Sequence, residues 1–92
     1  MSKKRDHLEV IHDILEVLRD RRGKVKPTHI LYKSNLSSQM LKEYLTELLE
    51  KEFLTENKEK KGRTTYSLTE KGFNFLKDYK VIKSFTESYG LN

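Results

Sequence analysis

The sequence predicts a mainly helical α+β domain: three helices, a hairpin of two short strands, then a long closing helix. Three observations carry this. Apolar residues recur at spacings of three and four across residues 6–22, 37–51 and 70–89, the signature of helices that bury one face. Residues 53–68 instead follow a period of two and are rich in Thr and aromatics, as strands are. The chain has 92 residues, 35% hydrophobic and 36% charged, which suffices for one small core beneath a charged surface.

The first helix runs from Asp6 to Arg22, with Leu8, Val10, Ile11, Ile14, Leu15, Val17 and Leu18 on its apolar face. Asp6 is placed to cap its free amides, Arg19, Arg21 and Arg22 suit the negative end of its dipole, and Gly23 supplies a left-handed stop. Lys24-Val25-Lys26 is long enough only for an edge strand. Pro27 sets the first turn of a brief helix that ends near Lys33, where Ser34-Asn35 can turn the chain. Ser37 or Ser38 then caps a helix reaching Lys51, whose stripe is Leu41, Leu45, Leu48 and Leu49, flanked by Met40 and Tyr44.

Phe53–Asn57 and Arg63–Leu68 are the hairpin strands, joined by Lys58-Glu59-Lys60-Lys61-Gly62. Thr69 caps the last helix, Glu70 to Tyr89, with a stripe of Phe75 or Leu76, Tyr79, Ile82, Phe85 and Tyr89. Twenty helical residues span about 30 Å, more than a three-helix core with a hairpin can cover. Residues 1–78 are therefore assigned to the compact domain and 79–92 to a projecting, dimerising part of the last helix. Two helices joined by a short turn, followed by a hairpin, make a helix-turn-helix with a wing. The fold class is accordingly α+β, mainly α: a winged helix-turn-helix with a long C-terminal dimerisation helix.

Composition narrows the function. Without cysteine there are no disulfides, thiol nucleophiles or thiolate metal sites, which suits a reducing cytoplasm. The longest apolar run is Ile30-Leu31-Tyr32, so neither a membrane span nor a signal-peptide core is predicted. Nineteen Lys and Arg against fourteen Asp and Glu give a net charge of +5, which favours a polyanionic partner. The excess is uneven: residues 58–63 hold four cations and one carboxylate, whereas 27–57 hold three cations and five carboxylates. His7 and His12 lie on different sides of one helix and His29 in another element, so no metal triad is predicted. No glycine belongs to a phosphate-cradling loop, and the carboxylates sit on charged faces. No enzyme, cofactor or small-molecule substrate is predicted.

Four segments carry a closer likeness: Lys26-Pro27-Thr28-His29-Ile30-Leu31-Tyr32-Lys33-Ser34-Asn35-Leu36-Ser37, Leu41-Lys42-Glu43-Tyr44-Leu45, Tyr66-Ser67-Leu68-Thr69-Glu70-Lys71-Gly72 and Phe85-Thr86-Glu87-Ser88-Tyr89-Gly90-Leu91. In this order they resemble a family of small archaeal winged-helix DNA-binding proteins, some of them abundant chromatin proteins that dimerise through a C-terminal coiled coil. The resemblance covers almost the whole chain after Met1. It implies double-stranded DNA as partner, a homodimer, and a cytoplasmic, nucleoid-associated transcription regulator or chromatin protein. Two departures stand out. Glu52 occupies a place where such proteins carry Gly, which predicts a local change of backbone, and the last helix is shorter than in the coiled-coil members.

The candidate DNA-binding residues follow. Ser37, Ser38, Gln39, Lys42 and Thr46 form a polar helix face suited to base edges, with Gln matched to adenine, Lys to guanine and Thr to a thymine methyl. Glu43, Glu47 and Glu50 restrict contact to the first two turns. Lys58, Lys60, Lys61 and Arg63 on the hairpin would grip phosphates, and Thr28, His29 and Lys33 could hold one more at the start of the short helix. Each also has a plain reading as solvated surface. Lys3, Lys4 and Arg5 form a basic arm or a solubilising tail. Phe75, Tyr79, Ile82, Phe85 and Tyr89 are the candidate dimer interface. The competing class is a winged-helix adaptor that binds protein without touching DNA, favoured by the acidic balance of residues 27–57.

Overall fold

The computed structural model describes residues 5–91, so Lys3 and Lys4 of the predicted basic arm lie outside the described residues. Helix α1 (His7–Arg21) is opened by a reciprocal cap: the Asp6 carboxylate accepts from the Glu9 N–H, and Glu9 accepts from the Asp6 N–H. Its left-handed closing residue is Arg22 (φ 50), one position before the predicted Gly23. Gly23 follows at φ 136, a conformation that side chains resist, and so turns the chain into the next segment. That segment is less than a strand: Val25 alone exchanges two hydrogen bonds with Tyr66, each 2.8 Å.

Helix α2 (Pro27–Ser34) starts on proline and stops at left-handed Asn35. Helix α3 (Ser38–Glu50) is capped by Ser37, whose hydroxyl accepts from the Met40 N–H at 3.1 Å. Strands β1 (Leu54–Lys58) and β2 (Thr64–Leu68) pair antiparallel, with Leu54 opposite Leu68 and Lys58 opposite Thr64. Helix α4 (Glu70–Ser88) is capped by Thr69 and runs unbroken through Tyr79. The core joins α1 (Val10, Ile11, Ile14, Leu15, Leu18), Ile30 of α2, Leu41, Leu45 and Leu48 of α3, and Val25, Leu54, Tyr66 and Leu76. Leu8, on the first turn of α1, is exposed instead.

The backbone at Glu52 is that of a regular helix end. The Phe53 N–H bonds the Leu48 carbonyl and the Glu52 N–H bonds the Leu49 carbonyl, so α3 ends in the double-bonded turn that places a left-handed residue just past the helix. Glu52 takes that position at φ 64, and carries the strain that a glycine would avoid. Helix α4 ends in the same turn, with Gly90 at φ 67. Gly72 has a different reason to be glycine. A Cβ there would stand 2.4 Å from the Phe53 carbonyl oxygen and 2.7 Å from Leu68, so its absence lets the start of α4 lie directly on the hairpin.

Candidate nucleic-acid interface

Helix α3 presents Ser38, Gln39, Lys42 and Thr46 to solvent, as its periodicity predicts. Two of these groups are already engaged: the Gln39 amide donates to the Glu43 carboxylate at 3.0 Å, and the Thr46 hydroxyl donates to the Lys42 carbonyl at 2.9 Å. Ser37 is committed to the cap. Lys42 has no ion-pair partner among the described residues. Glu47 turns toward α1, and the same carboxylate oxygen lies 2.9 Å from His7 of that helix and 2.9 Å from Lys51 at the end of α3. The hydrogen bond from Lys51, with a smaller contribution from His7, holds its carboxyl below the usual carboxylate range. Its charge is thus compensated inside the chain.

The start of α2 links this face to the wing. Thr28 lines a shallow groove with Ser38 and Lys42. It also lines a second hollow with Arg63 and Thr64. Thr28 thereby adjoins Ser38 and Lys42 of α3 as well as Arg63 of the wing. Lys33 stands apart in the last turn of α2, near His29. Partial burial, then the charges of Arg21 and Lys33, push the His29 imidazole below its ordinary pKa.

The wing tip is a single tight turn at Lys60–Gly62, with Lys61 and Gly62 both left-handed. Its one carboxylate, Glu59, meets the Lys24 ammonium at 3.1 Å and accepts from the Thr65 hydroxyl at 3.1 Å, and both partners lower its pKa. Lys58 faces Glu56 at 3.6 Å. Lys60, Lys61 and Arg63 have no ion pair among the described residues, so the tip offers three free cations. The sequence assigns Lys24 and Lys26 only to an edge strand. The structure sets them at the base of the wing, and the cation-rich run from Arg19 to Lys26 is the signal that pointed there.

Helix α4 divides the predicted dimer residues. Phe75 packs edge-on against Phe53 (5.4 Å between ring centres), and Tyr79 stacks on His12 of α1 (4.4 Å). Ile82, Phe85 and Tyr89 are 62%, 58% and 68% exposed, joined by exposed Val81 and Leu91. Beside Tyr79, ligand atoms of His12, Asp13 and Glu16 lie within 4.8 Å of one another. Asp13 already meets Arg5 at 2.7 Å and Glu16 meets Arg19 at 3.2 Å, so guanidinium groups neutralise the carboxylates that would attract a cation. Among the described residues, no helix is long and apolar enough to cross a membrane.

No curated protein sequence matches the chain. Among solved structures it is similar to Sso10a-2, a DNA-binding protein from Sulfolobus solfataricus, at 25% identity and a TM-score of 0.79, with 94% of this chain and 87% of that one covered. Two bacterial proteins share the fold at lower identity. MepR, a transcription regulator of the Staphylococcus aureus multidrug efflux pump MepA, gives 14% identity and a TM-score of 0.73 over 87% of this chain and 59% of its own. The zinc-responsive MarR family member ZitR of Lactococcus lactis gives 20% and 0.68 over 97% and 60%. The chain thus spans about three fifths of these two regulators. The sequence model of the winged helix-turn-helix family matches residues 4–87, in agreement with the helices and wing described above, and the chain belongs to that family.

Proposed function

We propose that this chain binds double-stranded DNA as a homodimeric winged-helix transcription regulator or chromatin protein. One observation carries the reading: the start of α2 adjoins both the first turns of α3, through Ser38 and Lys42, and the wing, through the unpaired Arg63. In this arrangement the N-terminal half of α3 enters the major groove, where Ser38, Gln39 and Lys42 meet base edges and Ser37 and Thr46 stand at the limits of contact. Lys60, Lys61 and Arg63 hold phosphates, with Lys58 at the foot of the wing, Thr28 beside the same backbone and Lys33 farther along α2. Similarity to the DNA-binding Sso10a-2 supports it. DNA contact frees the Gln39 amide from Glu43 only at a base that repays the exchange, which would make this position selective.

The dimer uses the distal half of α4. Ile82, Phe85 and Tyr89 are exposed on the half of the helix that extends past the core, while Phe75 and Tyr79 anchor the proximal half to the domain. Phe85→Asp is expected to give a folded monomer in sedimentation, and a persistent dimer would locate the interface elsewhere.

A salt titration of duplex binding tests the main reading. The logarithm of the affinity should fall steeply and linearly with log salt, and Lys60→Ala with Lys61→Ala should lower that slope by about 0.9 for each phosphate that is no longer neutralised. An adaptor would show little duplex affinity at any moderate salt. Gln39→Ala should cost about 1–3 kcal/mol on the preferred site and little on random DNA.

A further inference from the structure

The hollow at the base of the wing does not end at Thr28. Lys24, Lys26 and Thr28 line it on one side and also line a second hollow, which continues past Arg21 and His29 to Tyr32 on the outer surface of α2. The two hollows adjoin through these three shared residues, and together, as one furrow, they reach from Arg63 to Tyr32.

Its charge is one-sided. Arg21, Lys24, Lys26 and Arg63 line it, and its single carboxylate, Glu59, is already taken by Lys24 and Thr65. Arg21, Lys26 and Arg63 have no ion pair among the described residues. Two guanidinium groups outside the furrow do find carboxylates, Arg5 with Asp13 and Arg19 with Glu16 and Asp20, while Arg22 just past α1 finds none among the described residues. Cations gathered in a concave surface without counter-charges reinforce one another's field and attract a polyanion. His29 on its wall is held below its ordinary pKa first by partial burial and then by the charges of Arg21 and Lys33. At the far end Tyr32 is 84% exposed, so its ring and hydroxyl are free to meet a sugar or phosphate.

We propose that this furrow holds sugar–phosphate backbone of the bound duplex beyond the wing, so that the footprint includes Arg21, Lys24 and Lys26 as well as the wing and α3. The inference rests on the DNA-binding reading above. It selects the strand gripped by the wing because Arg63 belongs to both surfaces and Lys24 is tied to the wing through Glu59.

The test compares the full-length chain with Arg21→Ala/Lys26→Ala, with the charge-keeping Arg21→Lys/Lys26→Arg, and with Lys60→Ala/Lys61→Ala, on one random-sequence duplex across a salt series. Thermal melting checks that each variant is folded, which is expected because Arg21 and Lys26 are exposed. The alanine pair in the furrow should weaken binding about tenfold at 0.1 M salt and reduce the salt slope by about 1.8, two phosphates' worth, while the charge-keeping pair retains the slope. Wild-type affinity and slope in the alanine pair, with the wing variant weakened, would remove the furrow from the interface. Loss of slope in the charge-keeping pair would also overturn it. Absence of salt-dependent duplex affinity in the unaltered chain would instead sink the DNA reading itself.

Discussion

The two sides of the domain treat charge differently. Along the exposed flank of α1 and the end of α3, cations are paired: Arg5 with Asp13, Arg19 with Glu16 and Asp20, Lys51 with Glu47. Around the start of α2 they are not. Arg21, Lys26, Lys42, Lys60, Lys61 and Arg63 have no ion pair among the described residues, and the Lys24–Glu59 contact serves to hold the wing's base. Arg22, Lys33 and the α4 cations Lys71, Lys77, Lys80 and Lys83 also lack an ion pair among the described residues, so the contrast lies in the clustering of unpaired cations in the hollows around Thr28. Surface ion pairs add little stability, so the contrast matters less for folding than for recognition. On the proposed reading, the balanced surface is scaffold and the clustered cations face the DNA.

If that division holds, scaffold variants change stability and leave the DNA face intact, while face variants do the reverse. The largest effect should come from Gly72→Ala, whose new methyl must displace backbone at Phe53 and should cost about 3 kcal/mol in denaturant unfolding. A cost below about 0.5 kcal/mol would mean that α4 sits less tightly on the hairpin. Next, Lys60→Glu with Lys61→Glu should lower duplex affinity by about 100-fold at 0.1 M salt with an unchanged melting temperature. Arg5→Ala with Arg19→Ala, on the balanced flank, should alter affinity less than about twofold. Equal losses from both pairs would erase the distinction between the two sides.

Proton linkage gives a finer test. In the free chain burial, Arg21 and Lys33 depress His29, leaving it neutral at pH 7. Its surroundings are otherwise cationic too, with Lys24 and Lys26 in the same furrow and Tyr32 beside them. A phosphate placed there favours the imidazolium, so binding takes up a proton. Affinity should therefore rise as pH falls below about 6.5, by at most about tenfold per unit, and His29→Gln should flatten the profile. An identical profile in that variant would place the titrating group elsewhere. A modest effect on stability alone is expected from Glu52→Gly, which relieves a left-handed glutamate at the end of α3 and should stabilise the fold by about 1 kcal/mol without altering DNA affinity. Destabilisation would show that the Glu52 side chain contributes more than its backbone costs.

Much of the fold was legible because its signals are local. The Asp6, Ser37 and Thr69 caps, Pro27 at the start of α2 and the period-two stretch of the hairpin each act within a few residues, and the structure places them as expected. The left-handed ends were less legible. A turn that is held by two backbone bonds accepts Arg22 or Glu52 where residue preference points to glycine. Spacing along α4 likewise could not tell Phe75 and Tyr79, which find ring partners in the chain, from Ile82 and Phe85, which stay exposed past the core. The furrow was hidden for a similar reason. Arg21, Lys24 and Lys26 acquire a common surface with Arg63 only when the Val25–Tyr66 bridge brings the two segments together. Nor does a tally of charges reveal that Glu59 is spent on Lys24 or that Gln39 is held by Glu43.

The most direct test of DNA recognition is a titration of the isotopically labelled chain with a short duplex, followed through its backbone amide resonances. Signals of Ser38–Lys42 and Glu59–Thr64 should shift together and saturably, while those of α1 from Val10 to Leu18 stay in place. Stationary signals in both of the first two stretches, at duplex concentrations that saturate binding, would contradict it.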